Sequence, residues 1–411
     1  MSTFFWSVPK ENVKNLNKHA IIDLIRFTPN GISRVELARQ LNLTRAAITA
    51  IINDLQAIGL VNEVEGKYPS GRKPIVLEIN SERGYVAGID MGVTHVTILV
   101  ANFAAHVIRD GEWPINVDDG PEAVLKQIDA HLREVLNEEG LKVEDLKAIC
   151  LGVPGPVVLE GGMVSEPPIM PGWDKFPIKK YVKTFWKVPF TLGNDAELGA
   201  IGEWAYGAGR GEKNLAYIKV GRGIGAGLLL DGQIYHGADG SAGEIGHITI
   251  EENGPLCSCG NRGCLEAMAG GNAVARIAMD YVKRGHRTEL SRIHPVESIQ
   301  SHDVITAACS GDLVAQQILS EAGAHLGTAI SSLVNLFNPS MVIIGGGVSQ
   351  IGDLLLEPIR RTVPKRSLKM AAARLRISTS LLGKRSSGMG AVVQALSLVI
   401  HQEIEDRNGG R

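Results

Sequence analysis

Residues 85–100 read Tyr-Val-Ala-Gly-Ile-Asp-Met-Gly-Val-Thr-His-Val-Thr-Ile-Leu-Val. The stretch predicts two β-strands joined by a tight turn at residues 90–94, because apolar and β-branched residues flank a glycine and short polar residues. Residues 215–230 repeat this form around a glycine-rich turn at 221–227. Two such units, far apart in the sequence, predict two similar α/β lobes with a ligand cleft between them.

Strands, glycine loops and helices alternate through the rest of the body. Residues 148–157 and 341–349 each run from an apolar strand into a loop, and the second loop holds a glycine triplet at 345–347. One glycine loop is weak evidence because glycines mark ordinary turns, but four loops that directly follow strands favour an α/β fold. Apolar residues at helical spacing predict helices between them, at residues 122–139, 196–206, 313–337 and 387–400.

The first 80 residues predict a winged helix-turn-helix. A helical pattern over residues 13–28 is stopped by Pro-Asn-Gly at 29–31. Ser33 and Glu36 have the spacing of a capping box at the start of a second helix, and Thr44 can cap a third. A strand that begins near residue 61 then turns through residues 65–74 and returns over 75–79, which predicts a wing.

This module carries candidate DNA contacts on the third helix and on the wing tip. Arginine pairs with guanine edges or phosphates, and threonine contacts either. Residues 1–80 hold ten Lys/Arg and seven Asp/Glu, a net of +3, and because the whole chain has −2, the remainder has −5. The alternative is a helical bundle for protein contacts, but the basic wing favours DNA binding. The candidates are Thr44, Arg45, Thr49, Arg72 and Lys73.

Three of the five cysteines lie within eight residues, at Cys257, Cys259 and Cys264, and His247 precedes them by ten residues. Three thiolates and one imidazole match a tetrahedral structural zinc site, and clustered cysteines indicate a reducing compartment rather than a disulfide framework. Buried structural cysteines are the alternative. Cys150 and Cys309 lie in apolar contexts and are expected in the core.

The body resembles the ROK family of repressors, open reading frames and kinases, which share the actin-like, two-lobed ATPase fold. The resemblance extends from about residue 12 to the C-terminus, and the winged module makes it similar to the NagC-, Mlc- and xylose-repressor-like branch. The two motifs at 243–247 and 257–266, taken together, are highly specific to this family. The matching segments are the Asp90 turn, Leu-Gly-Val-Pro-Gly-Pro at 151–156, Pro-Gly-Trp at 171–173, Gly-Asn-Asp-Ala at 193–196, Gly-Glu-Ile-Gly-His at 243–247 and Cys-Ser-Cys-Gly-Asn-Arg-Gly-Cys-Leu-Glu at 257–266.

The resemblance implies an α/β protein in which the winged helix-turn-helix is followed by a two-lobed, actin-like, sugar-kinase-like domain. We expect the winged module over residues 1–80. The first lobe would comprise residues 81–198 together with 386–411. The second lobe, with the zinc knuckle and the helices of a dimer interface, would comprise residues 199–385.

By the same resemblance, five residues line a sugar pocket and the Cys/His cluster binds zinc. His247 would serve both, with one ring nitrogen on the metal and the other facing the sugar. Without the family, the pair at 194–195 would be interpreted as a helix N-cap, and the two glutamates as solvated loop charges. Ile169 departs from the family, whose kinases usually have Asn there, which leaves the sugar's identity open. The implied pocket residues are Asn194, Asp195, Glu244, His247 and Glu266.

Two departures at the phosphate loops favour a sensor over an enzyme. In the family's kinases the residue matching Asp195 is the catalytic base. Here Val93 replaces a glycine of the first loop and Arg222 replaces a threonine of the second. We therefore expect no catalytic residue and no ATP, and interpret the chain as a regulator, in the first place a repressor, whose operator affinity changes with a sugar. The alternative is an ATP-dependent sugar kinase with a regulatory DNA-binding head, in which Asp195 is the base.

The expected partners are operator DNA and a sugar or sugar derivative. A homodimer or dimer of dimers would grip a palindromic site. A third interpretation is a regulator controlled by a protein partner. No secretory signal or membrane span is evident, so we expect the cytoplasm. The sequence does not indicate which sugar or operator is used, or whether the ligand releases or recruits DNA.

Overall fold

The computed structural model describes residues 13–66, 74–158, 161–167, 169–347 and 351–406. Helices and strands alternate through these residues, as the sequence predicts. The helices are α1 (Val13–Phe27), α2 (Arg34–Leu41), α3 (Arg45–Ala57), α4 (Pro121–Glu138), α5 (Ile178–Val182), α6 (Asp195–Tyr206), α7 (Leu265–Ala269), α8 (Gly271–Lys283), α9 (Ser301–Cys309), α10 (Leu313–Phe337), α11 (Asp353–Arg366), α12 (Lys369–Ala372) and α13 (Ser386–Asp406).

The strands fall into two short hairpins and two larger sheets. They are β1 (Val61–Glu65), β2 (Ile75–Ile79), β3 (Tyr85–Met91), β4 (His95–Asn102), β5 (Val107–Pro114), β6 (Leu146–Val153), β7 (Val157–Val158), β8 (Met163–Val164), β9 (Phe190–Asn194), β10 (Leu215–Val220), β11 (Ile224–Leu230), β12 (Gln233–Ile234), β13 (Met341–Gly345) and β14 (Arg376–Thr379).

The N-terminal module has three helices followed by the antiparallel hairpin β1–β2. Ser33 and Glu36 form the expected capping box, in which the Ser33 backbone N–H donates to Glu36 Oε2 at 2.9 Å. Thr44 caps α3, since its hydroxyl oxygen accepts from the Ala47 N–H at 3.2 Å. The expected DNA contacts Arg72 and Lys73 lie outside the described residues.

The two five-stranded sheets share one topology. In the first, the order is β5-β4-β3-β6-β9, and in the second it is β12-β11-β10-β13-β14. Each sheet has an antiparallel meander of three strands followed by two parallel neighbours. The hairpins β3–β4 and β10–β11 are therefore equivalent, which agrees with the two similar lobes that the repeated strand–turn–strand units predict.

Helices α6 and α13 pack tightly against each other beside the pocket. At Gly202, a side-chain Cβ would clash with the Ser386 carbonyl oxygen and lie 2.9 Å from the Gly390 nitrogen. At Gly88 on β3, a Cβ would lie 2.6 Å from the Val392 nitrogen. Glycine at these positions allows the backbones of α6, α13 and β3 to approach closely. The expected lobe boundary at residues 198/199 falls inside α6.

The N-terminal module packs on α13. Arg26 of α1 donates to Ser397 Oγ at 2.9 Å and to the Val393 carbonyl at 3.2 Å. Arg83, just after the module, forms an ion pair with Glu403 of α13 at 2.8 Å. Buried residues of the winged module and of α13 belong to one continuous hydrophobic core. The head is therefore attached to the C-terminal helix of the body.

Two expectations at the level of elements need adjustment. Helix α13 extends to Asp406, beyond the predicted end at residue 400. Cys150 is buried as expected, but Cys309 is exposed because it ends α9 at the surface, so its assignment to the core was wrong. Among the described residues, no helix is long and apolar enough to cross a bilayer.

Candidate functional site

A single pocket brings together all five residues expected to bind a sugar. It lies between the two sheets, where the turns that follow β3 and β10 face the start of α6. Ile169, the position that departs from the family's kinases, also lines it. The lining includes Gly92, Val93, Thr94, His95, Pro154, Gly155, Ile169, Asn194, Asp195, Lys219, Gly221, Arg222, Gly223, Ile224, Gly225, Glu244, His247 and Glu266.

Asn194 is the N-cap of α6, which is the interpretation that its residue type alone favours. Its side-chain oxygen accepts from the backbone N–H groups of Ala196 at 2.9 Å and Glu197 at 3.0 Å. Its amide nitrogen donates to the Gly155 carbonyl at 2.9 Å. Asn194 therefore fixes the start of α6 and holds the loop after β6 against it.

Lys219 is a pocket residue that sequence reasoning missed. Its ammonium nitrogen lies 2.9 Å from Asp195 Oδ2, 3.0 Å from Asp90 Oδ1 and 3.3 Å from Ser387 Oγ. Burial alone would lower the pKa of Lys219, but Asp195 and then Asp90 raise it above its ordinary value, so the ammonium stays charged. The one available signal was a lone charge in the otherwise uncharged strand Leu215–Val220.

Glu266 connects the pocket to the cysteine loop. Its Oε2 accepts from the Ile224 N–H at 3.1 Å, and its Oε1 accepts from the Ser258 hydroxyl at 3.2 Å. Glu244 lies beside His247, with Glu244 Oε2 3.9 Å from Nε2 of the ring. Burial, followed by Asp195 and Glu266, raises the pKa of Glu244 to about 7. Neither glutamate is a freely solvated loop charge.

The cysteine loop forms a cluster that could hold a metal ion. The ligand atoms of His247, Cys257, Cys259 and Cys264 all lie within 4.8 Å of one another. Cys259 Sγ is 3.7 Å from Cys264 Sγ, and Cys257 Sγ is 3.7 Å from His247 Nδ1. Four ligands about 2.3 Å from a tetrahedral zinc would be separated by similar distances. The His247 ring thus has Nδ1 beside Cys257 Sγ and Nε2 on the side of Glu244.

The two altered phosphate loops have different surroundings. Val93 is only 7% exposed and packs in the core of the first lobe, and it also lines the pocket. Arg222 is exposed and donates from Nε to the Asn272 side-chain oxygen at 3.2 Å. Its guanidinium is thus held toward α8.

On the N-terminal module, Thr44, Arg45 and Thr49 are exposed at the start of α3. Beside them, Arg34 forms an ion pair with Glu63 at 2.7 Å and donates to Asn53 at 3.2 Å. Arg34 therefore ties α2 to the hairpin and to α3. These contacts leave the N-terminal end of α3 as an accessible surface.

Comparison with known proteins finds both repressors and kinases among the relatives. The xylose repressor of Caldicellulosiruptor bescii is 31% identical over 386 residues, which is 94% of this chain and 96% of that protein. The glucokinase of Halalkalibacterium halodurans is 37% identical over 303 residues, which is 73% of this chain and 91% of that protein.

Among solved structures, a ROK family transcriptional regulator homologous to the Escherichia coli MLC protein has a TM-score of 0.76. It is 26% identical, and the match covers 95% of this chain and 100% of that one. The actin-like, two-lobed fold is thereby confirmed for the body. Residues 86–397 match the ROK family, and with a repressor that matches over nearly its whole length, the chain belongs to the ROK family.

Proposed function

We propose that this chain is a sugar-responsive, DNA-binding transcriptional repressor. The observation that carries the proposal is that one chain combines a carboxylate-lined pocket between two kinase-like lobes with a winged helix-turn-helix attached to the body. The xylose repressor that matches 94% of this chain supports the same function. A regulator of this kind acts on DNA in the cytoplasm, which is where we expect it.

In the pocket, carboxylate oxygens would accept from the hydroxyl groups of a sugar. Asp195 engages Lys219 through Oδ2 and lines the pocket, so its carboxylate would be within reach of a ligand hydroxyl. Glu244, Glu266 and His247 would provide further polar contacts, because a carboxylate oxygen can accept more than one hydrogen bond. Asn194 would contribute mainly by fixing α6, since its amide is already paired.

The Cys/His cluster would hold a zinc ion. A closed set of three sulfurs and one nitrogen supplies a structural crosslink rather than an open position for chemistry. The loop requires its glycines, because at Gly263, where φ is +65°, a Cβ would clash with the Glu251 carbonyl oxygen. By fixing His247, the metal would also fix one wall of the sugar pocket.

On DNA, the exposed start of α3 would enter the major groove, with Thr44, Arg45 and Thr49 as contacts, and Arg72 and Lys73 would follow the wing to the backbone or minor groove. A dimer would match the symmetry of a palindromic operator. We retain residues 1–80 as the DNA-binding part, and 81–198 with 386–411 and 199–385 as the two lobes of the sensor.

The experiment is operator binding by fluorescence anisotropy, after a thermal-shift screen of sugars and sugar phosphates. We expect the best ligand to weaken the protein's affinity for operator DNA by at least about tenfold, or about 1.4 kcal/mol. Arg45→Ala should abolish specific binding without affecting the sugar's thermal shift. Specific binding that no sugar in the panel changes would contradict the sensor.

A sugar kinase with a DNA-binding head is the second candidate, supported by the glucokinase relative. Asp195 would then be the base that accepts a sugar proton, but its carboxylate is ion-paired with Lys219 at 2.9 Å. A coupled ADP-release assay on the same sugar panel separates the two functions. Turnover that disappears in Asp195→Asn would identify an enzyme.

A further inference from the structure

We propose that Lys219 is a built-in cation that takes the place of a divalent metal ion between Asp90 and Asp195, and thereby commits the pocket to an uncharged ligand. The nature of that ligand rests on the sugar-sensing function proposed above. The replacement of a metal ion by the ammonium group rests only on the geometry of the four residues concerned.

The ammonium of Lys219 lies in a cage made of oxygen atoms. Asp90 contributes Oδ1 at 3.0 Å and Oδ2 at 3.2 Å, Asp195 contributes Oδ2 at 2.9 Å, and Ser387 contributes Oγ at 3.3 Å. An ammonium group has three N–H donors, and these three residues use all of them. The cage joins four separate elements, because the four residues lie on β3, α6, α13 and β10.

Such a cage has the composition of a site for a hard cation. Mg²⁺ and Mn²⁺ prefer carboxylate, hydroxyl and water oxygens, and magnesium binds at about 2.0–2.1 Å. The side chains of Asp90 and Asp195 are only 6% and 14% exposed. Two buried carboxylates this close repel each other unless a positive charge lies between them. In this chain that charge comes from Lys219.

The same arrangement determines which ligands the pocket accepts. A phosphate group near Asp90 and Asp195 would need a bridging cation, but the donors of Lys219 are already used by its own carboxylates. The other charged lining residues near this cage, Glu244 and Glu266, are acidic, and Arg222 is held toward Asn272. An uncharged polyhydroxyl ligand avoids this repulsion, since its hydroxyls donate to carboxylates. Lys219 therefore distinguishes this pocket from one that binds a metal–phosphate.

The test is to remove the ammonium and offer a metal ion in its place. Lys219→Ser leaves space for an ion with its waters. We expect a lower melting temperature than wild type in metal-free buffer, a recovery of several degrees with millimolar MgCl₂ or MnCl₂, and about one Mn²⁺ bound per chain by electron paramagnetic resonance. Wild type should show neither the recovery nor the bound Mn²⁺.

Two controls isolate the cage. Asp90→Asn combined with Lys219→Ser removes a ligand together with the cation, so it should fold and show no metal response. A response that persists there would come from another site, such as the Cys/His cluster. Lys213→Ser, at an exposed lysine just before the same strand, should behave as wild type.

Three results would overturn the inference. Lys219→Ser could match the wild-type melting temperature without metal, it could be destabilised without recovery or Mn²⁺ binding, or it could remain insoluble with and without Mg²⁺. None of these measurements uses DNA or sugar. If no sugar in the panel changes operator affinity, the proposed function fails and the metal result is unaffected. If Lys219→Ser shows no metal response, this inference fails and the proposed function is unaffected.

Discussion

Asn194 has two tasks where β9 becomes α6. Its oxygen caps the helix and its amide holds the Gly155 carbonyl. We expect Asn194→Ala to lower the free energy of unfolding by about 1–2 kcal/mol, because both the cap and a partly buried hydrogen bond are lost. Urea denaturation measures the change. Asn194→Asp keeps the capping oxygen but not the amide donor, so its free energy of unfolding should lie between those of wild type and Asn194→Ala. An alanine variant as stable as wild type would refute the cap.

The cysteines of the cluster should control metal content. We expect Cys264→Ser to reduce bound zinc from about one per chain toward none and to lower the melting temperature, since structural zinc contributes directly to folding. Elemental analysis of purified protein measures the zinc. Cys309→Ser is the matched control, because Cys309 is exposed on α9. Full zinc retention in Cys264→Ser would exclude the cluster as the binding site.

Among individual residues, those whose role is local were predictable and those whose partners are distant were not. Ser33, Thr44 and the Cys257–Cys264 loop act on neighbours within a few residues, so spacing predicts them. Lys219 meets Asp90 across 129 positions and Ser387 across 168. Only the fold brings these residues together, and no local pattern records it.

At the scale of elements, the contact between α6 and α13 depends on glycine. We expect Gly202→Ala to cost about 1–3 kcal/mol, because the new methyl group would clash with the Ser386 carbonyl and force the helices apart. Thermal denaturation checks the loss. Gly347→Ala should be nearly neutral, since a Cβ there meets nothing within 4 Å. Equal stability of the two variants would show that the helices can separate without cost.

The periodic elements were predicted well, and their ends less well. The helical pattern over residues 313–337 predicts the observed bounds of α10, Leu313–Phe337. These ends are sharp because Asp312 caps the start of the helix and Asn338 ends it in the left-handed conformation. The end of α13 was placed too early at residue 400. The helix continues through His401, which stacks on His19 of the head, and through Ile404, which is buried in the shared core.

At the scale of the whole molecule, the joint between head and body contains a buried acid. Burial raises the pKa of Asp23 to about 7, and Arg26 opposes this only in part. An acid whose pKa is higher in the folded than in the unfolded state makes the free energy of unfolding fall as the pH rises from about 4 to about 7. Burial lowers the pKa of His19 to about 4, so His19 acts in the opposite direction between about pH 4 and 6.5.

The contribution of Asp23 can be isolated by difference. We expect the stability of Asp23→Asn relative to wild type to increase by a few kcal/mol between about pH 5 and pH 8, because only wild type must bury a charge there. Urea denaturation across this range, with His19 unchanged in both proteins, measures it. A difference that does not vary with pH would show that Asp23 has an ordinary pKa in the folded state.

The two-lobed body could be predicted as a whole, because its two hairpins repeat in the sequence. The attachment of the head could not. The winged module could be predicted as a unit, yet its packing on α13 joins residues such as Arg26 and Ser397, which are 371 positions apart. The packing of one module on another depends on shape and on single polar contacts, and these produce no periodic pattern in the sequence.

One helix has a mechanical consequence. The first turn of α13 holds Ser387, whose hydroxyl donates to the Asp195 carbonyl at 2.8 Å, and later turns carry Ser397 and His401, which contact α1. With a rise of about 1.5 Å per residue, these contacts span roughly 20 Å along one rod. Packed protein interiors have low compressibility and transmit strain, so we expect a displacement at the pocket end of α13 to affect its contacts with α1. Helix α13 is therefore a mechanical connection between the pocket at one end and the DNA-binding head at the other.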